Sequence, residues 1–218
     1  MATIAILGGT GPQGKGLGYR FGRSGHDVVL GSRGEERAAA AARELTRRGT
    51  IGSVAGAENL KAAESGEIVV LAVPHDGHDE LVTTLATQLA GKVVISCVNP
   101  LGFDKEGPYG LDLGPTSAAE QAQKLVPEAF VVGAFHHVSA ATLNSDLESL
   151  HNEDVLVCGD DDEAKRLVIE LAAAVTGKPG IDAGRLRMAR QLEPLTAVLI
   201  SINKRYKVRS GIAVAGLR

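Results

Sequence analysis

Tryptophan is absent from this sequence, aromatic residues make up only 3% of it, and cysteine occurs twice. Two cysteines without close spacing, Cys97 and Cys158, exclude a zinc cluster and a disulfide framework. Both lie in apolar, strand-like runs, which fits a chain at home in a reducing cytoplasm. A surplus of positive charge is also missing: 23 Lys and Arg stand against 26 Asp and Glu, a net charge of −3. That balance gives no reason to expect nucleic acid or a membrane surface as a partner. No apolar stretch approaches the ~18 residues that cross a bilayer. The opening ATIAILG has no basic start and no small-residue cleavage site, so it reads as a strand rather than a signal peptide. No G-x-S-x-G nucleophile elbow occurs. The pair His75 and His78 has no further ligand at metal-site spacing, and the run Asp160–Asp162 lacks the glycine and distal glutamate of a calcium loop. A resident metal is therefore not expected.

Glycine, by contrast, is abundant, with 27 of 218 residues, about 12% against an ordinary ~7%. The excess falls at strand ends and tight turns, where backbone turns sharply or approaches a ligand. Strand and helix patterns alternate through the first two-thirds. TIAILG, DVVLGS, IGSVAG, EIVVLAV, KVVISCV and FVVGAF read as strands. PQGKGLGYRFGRSG, EERAAAAARELTRRG and DELVTTLATQLAG read as helices between them. Continuous Val/Ile runs mark strands covered on both faces, and their alternation with helices predicts a Rossmann-type doubly wound parallel α/β sheet. Between Val98 and Thr116, NPLGFDKEGPYGLDLGP has no periodicity and reads as a long functional loop. After FVVGAFHHV come one apolar run, DVLVCG, an acid-started helix, DDDEAKRLVIELAAAV, and a long helix, RMARQLEPLTAVLISINKRY. The expected division is a nucleotide-binding domain over residues 1–140 and a small, mainly helical unit over 141–218.

Gly9-Thr10-Gly11-Pro12-Gln13-Gly14 is a G-x-G-x-x-G between the first strand and the first helix. In that context the glycines allow a tight turn and close backbone approach, and the helix start offers free N–H groups to a pyrophosphate. NAD-selective sites carry Asp or Glu at the end of the second strand to bind the ribose hydroxyls. Here that strand ends Leu30-Gly31-Ser32-Arg33, with Arg37 one turn on. A carboxylate would repel a 2′-phosphate; Ser32 can donate to it, and Arg33 and Arg37 can neutralise it. Cations at a helix start otherwise oppose the macrodipole. Thr10 adds a hydroxyl. The cofactor expected from these residues is NADP(H).

Ligands of open α/β sheets sit beyond the carboxyl ends of the strands, here Val73-Pro74-His75, Val98-Asn99-Pro100 and Phe135-His136-His137. For His136, a general acid, a cofactor-contacting ring and a polar strand cap are equally compatible with the sequence. His137 should point the other way if the strand continues. Acid–base groups are scarce around these ends. Reducing a ketone or imine normally needs a proton donor, whereas hydride transfer between two cofactors needs mainly alignment.

In order and spacing, ILGGTGPQGKGLG, VVLGSRGEER, LAVPH, VVGAFHHVSA, VLVCGDDDEAK and IDAGRLRMARQLEPLTAVLISIN resemble the NADPH-dependent coenzyme F420 reductases. The resemblance covers essentially the whole chain. It implies a Rossmann domain with a small helical C-terminal domain, and reversible hydride transfer between NADP(H) and the deazaflavin coenzyme F420. By position it places NADP on Thr10, Gly11, Pro12 and Gln13, with Ser32, Arg33 and Arg37 around the 2′-phosphate. Val73, Gly77, Val98 and Ala140 would line the ribose and nicotinamide, and His136 and Val138 would touch the deazaflavin. No titrating catalytic residue is implied.

With so few aromatics, the deazaflavin is expected to be held by aliphatic side chains and backbone, as a diffusing substrate. From Arg185 to Arg218 there are eight Lys and Arg and one acid, Glu193. Arg185, Arg187, Lys204, Arg205 or Lys207 is a candidate for its anionic tail, with a solvated basic face or a subunit contact as the plain alternative. TAVLISIN and GIAVAG are candidate contacts of a homodimer or higher homo-oligomer. Two other functions use the same features: an NADPH-dependent imine or keto-acid reductase, and an NADP-sensing module without turnover.

Overall fold

The computed structural model of the protein describes residues 1–217. Its first half is a β–α alternation: β1 (Thr3–Leu7), α1 (Pro12–Arg23), β2 (Asp27–Ser32), α2 (Glu35–Arg47), β3 (Val54–Glu58), α3 (Asn59–Ser65), β4 (Ile68–Leu71), α4 (His78–Thr84), α5 (Ala86–Leu89) and β5 (Val93–Ser96). A hairpin of β6 (Leu101–Asp104) and β7 (Gly107–Gly110) follows, then α6 (Ala118–Leu125), β8 (Phe130–Gly133) and α7 (Ala140–Leu143). The chain continues through β9 (Leu156–Gly159), α8 (Asp162–Leu171), α9 (Ala173–Thr176) and β10 (Ile181–Gly184) to a long helix, α10 (Ala189–Tyr206).

Among the described residues the main sheet has eight strands in the order β10-β9-β8-β5-β4-β1-β2-β3. The six adjacent strands β3, β2, β1, β4, β5 and β8 run parallel, in the Rossmann arrangement that the Val/Ile runs imply, while β9 pairs antiparallel with β8. Helices cover both faces, giving two apolar layers. One gathers Leu17, Phe21 and Leu45 from α1 and α2, the other Ala62, Val82 and Ala122 from α3, α4 and α6.

The structure redraws three local expectations. The aperiodic stretch after Val98 contains the β6–β7 hairpin, whose turn is closed by Asp104 Oδ1 accepting from the Glu106 and Gly107 N–H groups at 2.7 and 3.1 Å. Four-residue strands built as LGFD and GPYG are too short and too rich in Gly and Pro to show an alternation. Strand β8 ends at Gly133 and Phe135 adopts φ 62°, so the strand whose continuation would have set His136 and His137 on opposite faces does not reach them, and both residues are buried. The sheet also runs on past residue 140, because β9 and β10 form its far edge. What stands apart as a helical C-terminal segment is α10, against which the hairpin packs so closely that a Cβ on Gly110 would lie 2.6 Å from Pro194 Cβ.

Acids do start α8, as its sequence suggests: Asp161 caps it by accepting from the Ala164 N–H at 2.8 Å. The tail segment GIAVAG lies along its own chain, with the Asp154 N–H donating to Ile212 O and the Val214 N–H to Asp154 Oδ2, both at 2.7 Å. No helix among the described residues is long and apolar enough to cross a membrane.

Candidate functional site

The carboxyl ends of β1, β2 and β4 open on a cleft of about 370 Å³. Six of the residues singled out in the sequence line it: Thr10, Ser32, Arg33, Arg37, Val73 and Gly77. Arg37 Nη2 donates to Thr10 Oγ1 at 3.1 Å, joining the start of α2 to the β1–α1 turn. Arg33 is exposed and takes no partner among the described residues. Asp76 and Glu80 line the same cleft from the β4–α4 side. Phosphate is thus attracted by the Arg33 and Arg37 wall and repelled by the other. Gly77 has φ 82°, a left-handed conformation that suits glycine, and its missing side chain leaves open space at the mouth.

The three remaining residues of the glycine turn sit at the start of α1. Gly11 is its N-cap with no side-chain hydrogen bond, Pro12 occupies the first turn, and no acid follows. The first N–H groups of a twelve-residue helix are therefore left for a ligand, the arrangement that suits a pyrophosphate. Gly14 is fixed by packing: a Cβ there would stand 2.7 Å from both Gly8 O and Gly9 Cα. Gln13 Nε2 donates to Phe135 O at 3.2 Å, and Asn144 Nδ2 donates to Pro12 O at 2.8 Å, so the turn is braced against the segment that follows β8.

That segment is held from beneath by Arg20, which is 1% exposed. Its guanidinium donates to the carbonyls of Thr142, Leu143, Ser145, Leu147 and Glu148, and to Ser145 Oγ. Gly16 lets α1 and α7 meet, since a Cβ there would fall 2.5 Å from Leu143 Cβ.

Val98, His136 and Val138 lie beyond β5 and β8 and are buried; Ala140 is half-buried at the start of α7. None of the four lines the 370 Å³ cleft. The His136 ring has no partner on either nitrogen among the described residues, and burial pushes its pKa down to about 3. It is a neutral imidazole at any working pH. Its carbonyl accepts from Asn99 Nδ2 and from Thr196 Oγ1, both at 2.8 Å, which ties the ends of β5 and β8 to α10. His137 Nε2 donates to Asp154 O at 2.8 Å, and burial lowers its pKa as well. His78 is buried with Nδ1 on Asp79 Oδ1 at 2.8 Å, its ring 6.3 Å from that of His75 in a stacked pair. The two thiols, both buried, are pushed up to about 12 and are not available as nucleophiles.

The basic C-terminal residues do not converge. Arg185 and Arg187 precede α10, whereas Lys204, Arg205 and Lys207 lie at its far end, roughly 27 Å away for an 18-residue helix. Arg185 is occupied with Asp160 O at 2.8 Å, and Arg218 lies outside the described residues. Glu193, the acid among them, is buried on α10 and accepts from the Ala118 and Ala119 N–H groups at 2.9 and 3.0 Å, capping α6. Burial raises its pKa to about 7.

Residues 3–100 match the family described as NADP oxidoreductase, coenzyme F420-dependent. The F420-dependent NADP reductase of Methanocaldococcus jannaschii is 40% identical over 98% of both chains. The chain belongs to this family. The F420-dependent NADP reductase of Methanothermobacter thermautotrophicus is 37% identical over 98% of this chain and 95% of its own. A crystal structure of a putative F420-dependent NADP reductase from Arthrobacter sp. FB24 superposes with a TM-score of 0.83 at 27% identity, covering 98% of this chain and all of that one. Within the family's frame, the cleft of this F420-dependent NADP oxidoreductase has further lining that sequence reasoning missed: Asn59, Leu81 and Thr84, besides Gly8, Asp76 and Glu80. For Asn59 a signal existed: β3 ends at Glu58 rather than inside IGSVAG, so Asn59 stands at a strand's carboxyl end.

Proposed function

We propose that this protein is an NADPH:coenzyme F420 oxidoreductase that moves hydride reversibly between NADP(H) and the 8-hydroxy-5-deazaflavin. One observation carries the reading: a glycine turn with an uncapped helix start opens into a cleft whose β2 wall bears Ser32, Arg33 and Arg37 and no carboxylate. When bound, NADP(H) and F420 supply the hydride donor and acceptor. The chain's part is to hold them. The turn from Thr10 to Gln13, with the free N–H groups of the first turn of α1 from Gln13 on, takes the pyrophosphate, and Ser32, Arg33 and Arg37 take the 2′-phosphate. Val73 and Gly77 flank the ribose and nicotinamide on the cleft side. Val98 and Ala140 bound it on the other, while Val138 and His136 face the deazaflavin, His136 through its backbone because its ring is enclosed. A neutral His136 places no charge beside the reacting rings and gives up no proton, which suits a reaction that needs alignment rather than acid–base exchange.

Labour divides along the chain: residues 1–140 provide the NADP cleft, and 141–218 complete the deazaflavin side. The partners are small-molecule cofactors and a second copy of this chain, in a reducing cytoplasm that keeps both cysteines free. For the second copy the groove between the β6–β7 hairpin and α10, about 680 Å³, is the reading's surface. Tyr206 and Val198, which line it, are 67% and 53% exposed, and the lining also includes Glu106 from the hairpin and Lys204 and Arg205 from α10. In a two-fold dimer, that acid and those bases pair between copies. Sedimentation of the protein and of Val198→Glu tests this; a monomeric wild type rejects it. The activity is tested by mixing protein, NADPH and oxidised deazaflavin. Bleaching of the deazaflavin absorbance is expected. Turnover of imines or keto acids alone would favour the reductase alternative, and NADPH binding with no acceptor at all would favour a sensor.

A further inference from the structure

Asn59 is the first residue of α3 and lines the cofactor cleft together with Leu81 and Thr84 of α4. These three come from helices of one face of the sheet, whereas Thr10 and Arg37 belong to the α1 and α2 side. The Asn59 Oδ1 atom is buried without a hydrogen-bond partner among the described residues. It presses on the end of β2 so closely that a Cβ on Gly31 would lie 2.7 Å from it. The amide nitrogen has no hydrogen-bond partner among the described residues either, so the carboxamide is unengaged beside the cleft it lines. A carboxamide with an unsatisfied buried oxygen has no internal bond to lose by turning outward, and an unmet acceptor in a closed setting is costly to keep.

With the 2′-phosphate held on the β2–α2 wall, the base of the dinucleotide falls toward α3 and α4. Leu81 offers an apolar surface to its ring. Asn59 offers an acceptor and a donor side by side. Adenine presents the complementary pair on its N6 amine and N7 edge, the pairing that Asn makes bidentately with adenine elsewhere. We propose that Asn59 is a specificity residue of the cofactor site that reads the adenine base through N6 and N7. The assignment rests on the NADP(H) reading of the cleft.

The test measures dissociation constants of NADP+, its hypoxanthine analogue and NAD+ for the wild type, Asn59→Leu and Asn59→Ala. Hypoxanthine replaces the N6 donor by an oxygen and keeps the 2′-phosphate. The wild type should bind the adenine form about 10-fold more tightly than the hypoxanthine form, the effect of one good base contact. In both variants that ratio should fall to within about 2-fold of unity while the preference for NADP+ over NAD+ persists. Asn59→Ala only removes atoms, so it guards against a misfolded leucine variant. A base ratio that is near one in the wild type, or that survives in both variants, overturns the assignment. Loss of the NADP+ over NAD+ preference in the variants with the base ratio intact overturns it too, by moving Asn59 to the phosphate. A wild type without any NADP+ preference would instead overturn the cofactor reading beneath it.

Discussion

Replacing Arg20 by methionine keeps the buried stem and deletes the guanidinium. Of the two buried bonds it makes, the one to Leu143 O at 3.0 Å leaves that carbonyl stranded when lost, whereas Thr142 O, at 3.1 Å, keeps the Ser145 hydroxyl and N–H as donors. Hydrogen bonds from a charged donor contribute about 1.5–3 kcal/mol each, and stranding a buried acceptor costs about 1–3 kcal/mol. The bonds to Leu147, Glu148 and Ser145 lie nearer solvent and add less. Removing a burden of desolvation from Arg20 itself, whose pKa burial lowers, returns part of the loss. The net expectation is about 4 kcal/mol, near the upper end for a single substitution. For a chain of this size that is a fall in Tm of roughly 8–16 °C. Arg20→Lys keeps a charge but loses the planar fork that reaches several carbonyls at once, so it should fall between, at about half the loss. Thermal unfolding followed by circular dichroism at pH 7 gives the comparison. A Tm for Arg20→Met within about 2 °C of wild type would refute the claim that this side chain holds the segment after α7.

Other outcomes follow from single atoms. Gly14→Ala forces a methyl to within 2.7 Å of backbone at Gly8 and Gly9, so it should cost about 1–3 kcal/mol in stability and weaken NADPH binding, read by melting and by NADPH fluorescence titration. His136, held at about 3 against an ordinary 6.5 by burial, contributes stability that is present above pH 6.5 and is lost as pH falls toward 3. One proton amounts to about 1.4 kcal/mol per pH unit over that window. Glu193, raised to about 7, works in the opposite sense, its contribution being present below its ordinary 4.5 and lost as pH rises through 7. Only the difference between wild type and His136→Leu isolates the histidine. Denaturant unfolding from pH 6.5 to 4.5 should show a shallower acid loss in the variant, and identical slopes would contradict the buried neutral ring.

How far the sequence could be read depended on which forces act locally. Strands β1, β2, β4, β5 and β8 were legible because a strand buried on both faces must be apolar throughout, as IVVL and VVIS are. The β2 end was legible for a chemical reason, since Gly31-Ser32-Arg33 replaces an acid where the sugar is read. The hairpin was not legible, because β6 and β7 draw their stability from Pro194 and α10 rather than from their own alternation. Strand β10, reading IDAG, is held by pairing with β9 and has no apolar run to betray it. His136 illustrates a different limit. Its place beyond β8 was readable, but the enclosure of its ring depends on Phe135 turning to positive φ, which no residue pattern announces. Asn59 was missed through an error of two residues in the end of β3, the usual scale of boundary uncertainty.

The most direct measurement is hydride exchange with oxidised deazaflavin, with kcat/KM determined for NADPH and NADH on the wild type and on the double variant Arg33→Asp with Arg37→Ala. NADPH should be preferred by the wild type, and the double variant should lose most of that preference, at least about 10-fold for two charge-assisted phosphate contacts. Equal use of the two dinucleotides by the wild type, or an unchanged ratio in the double variant, would contradict the account.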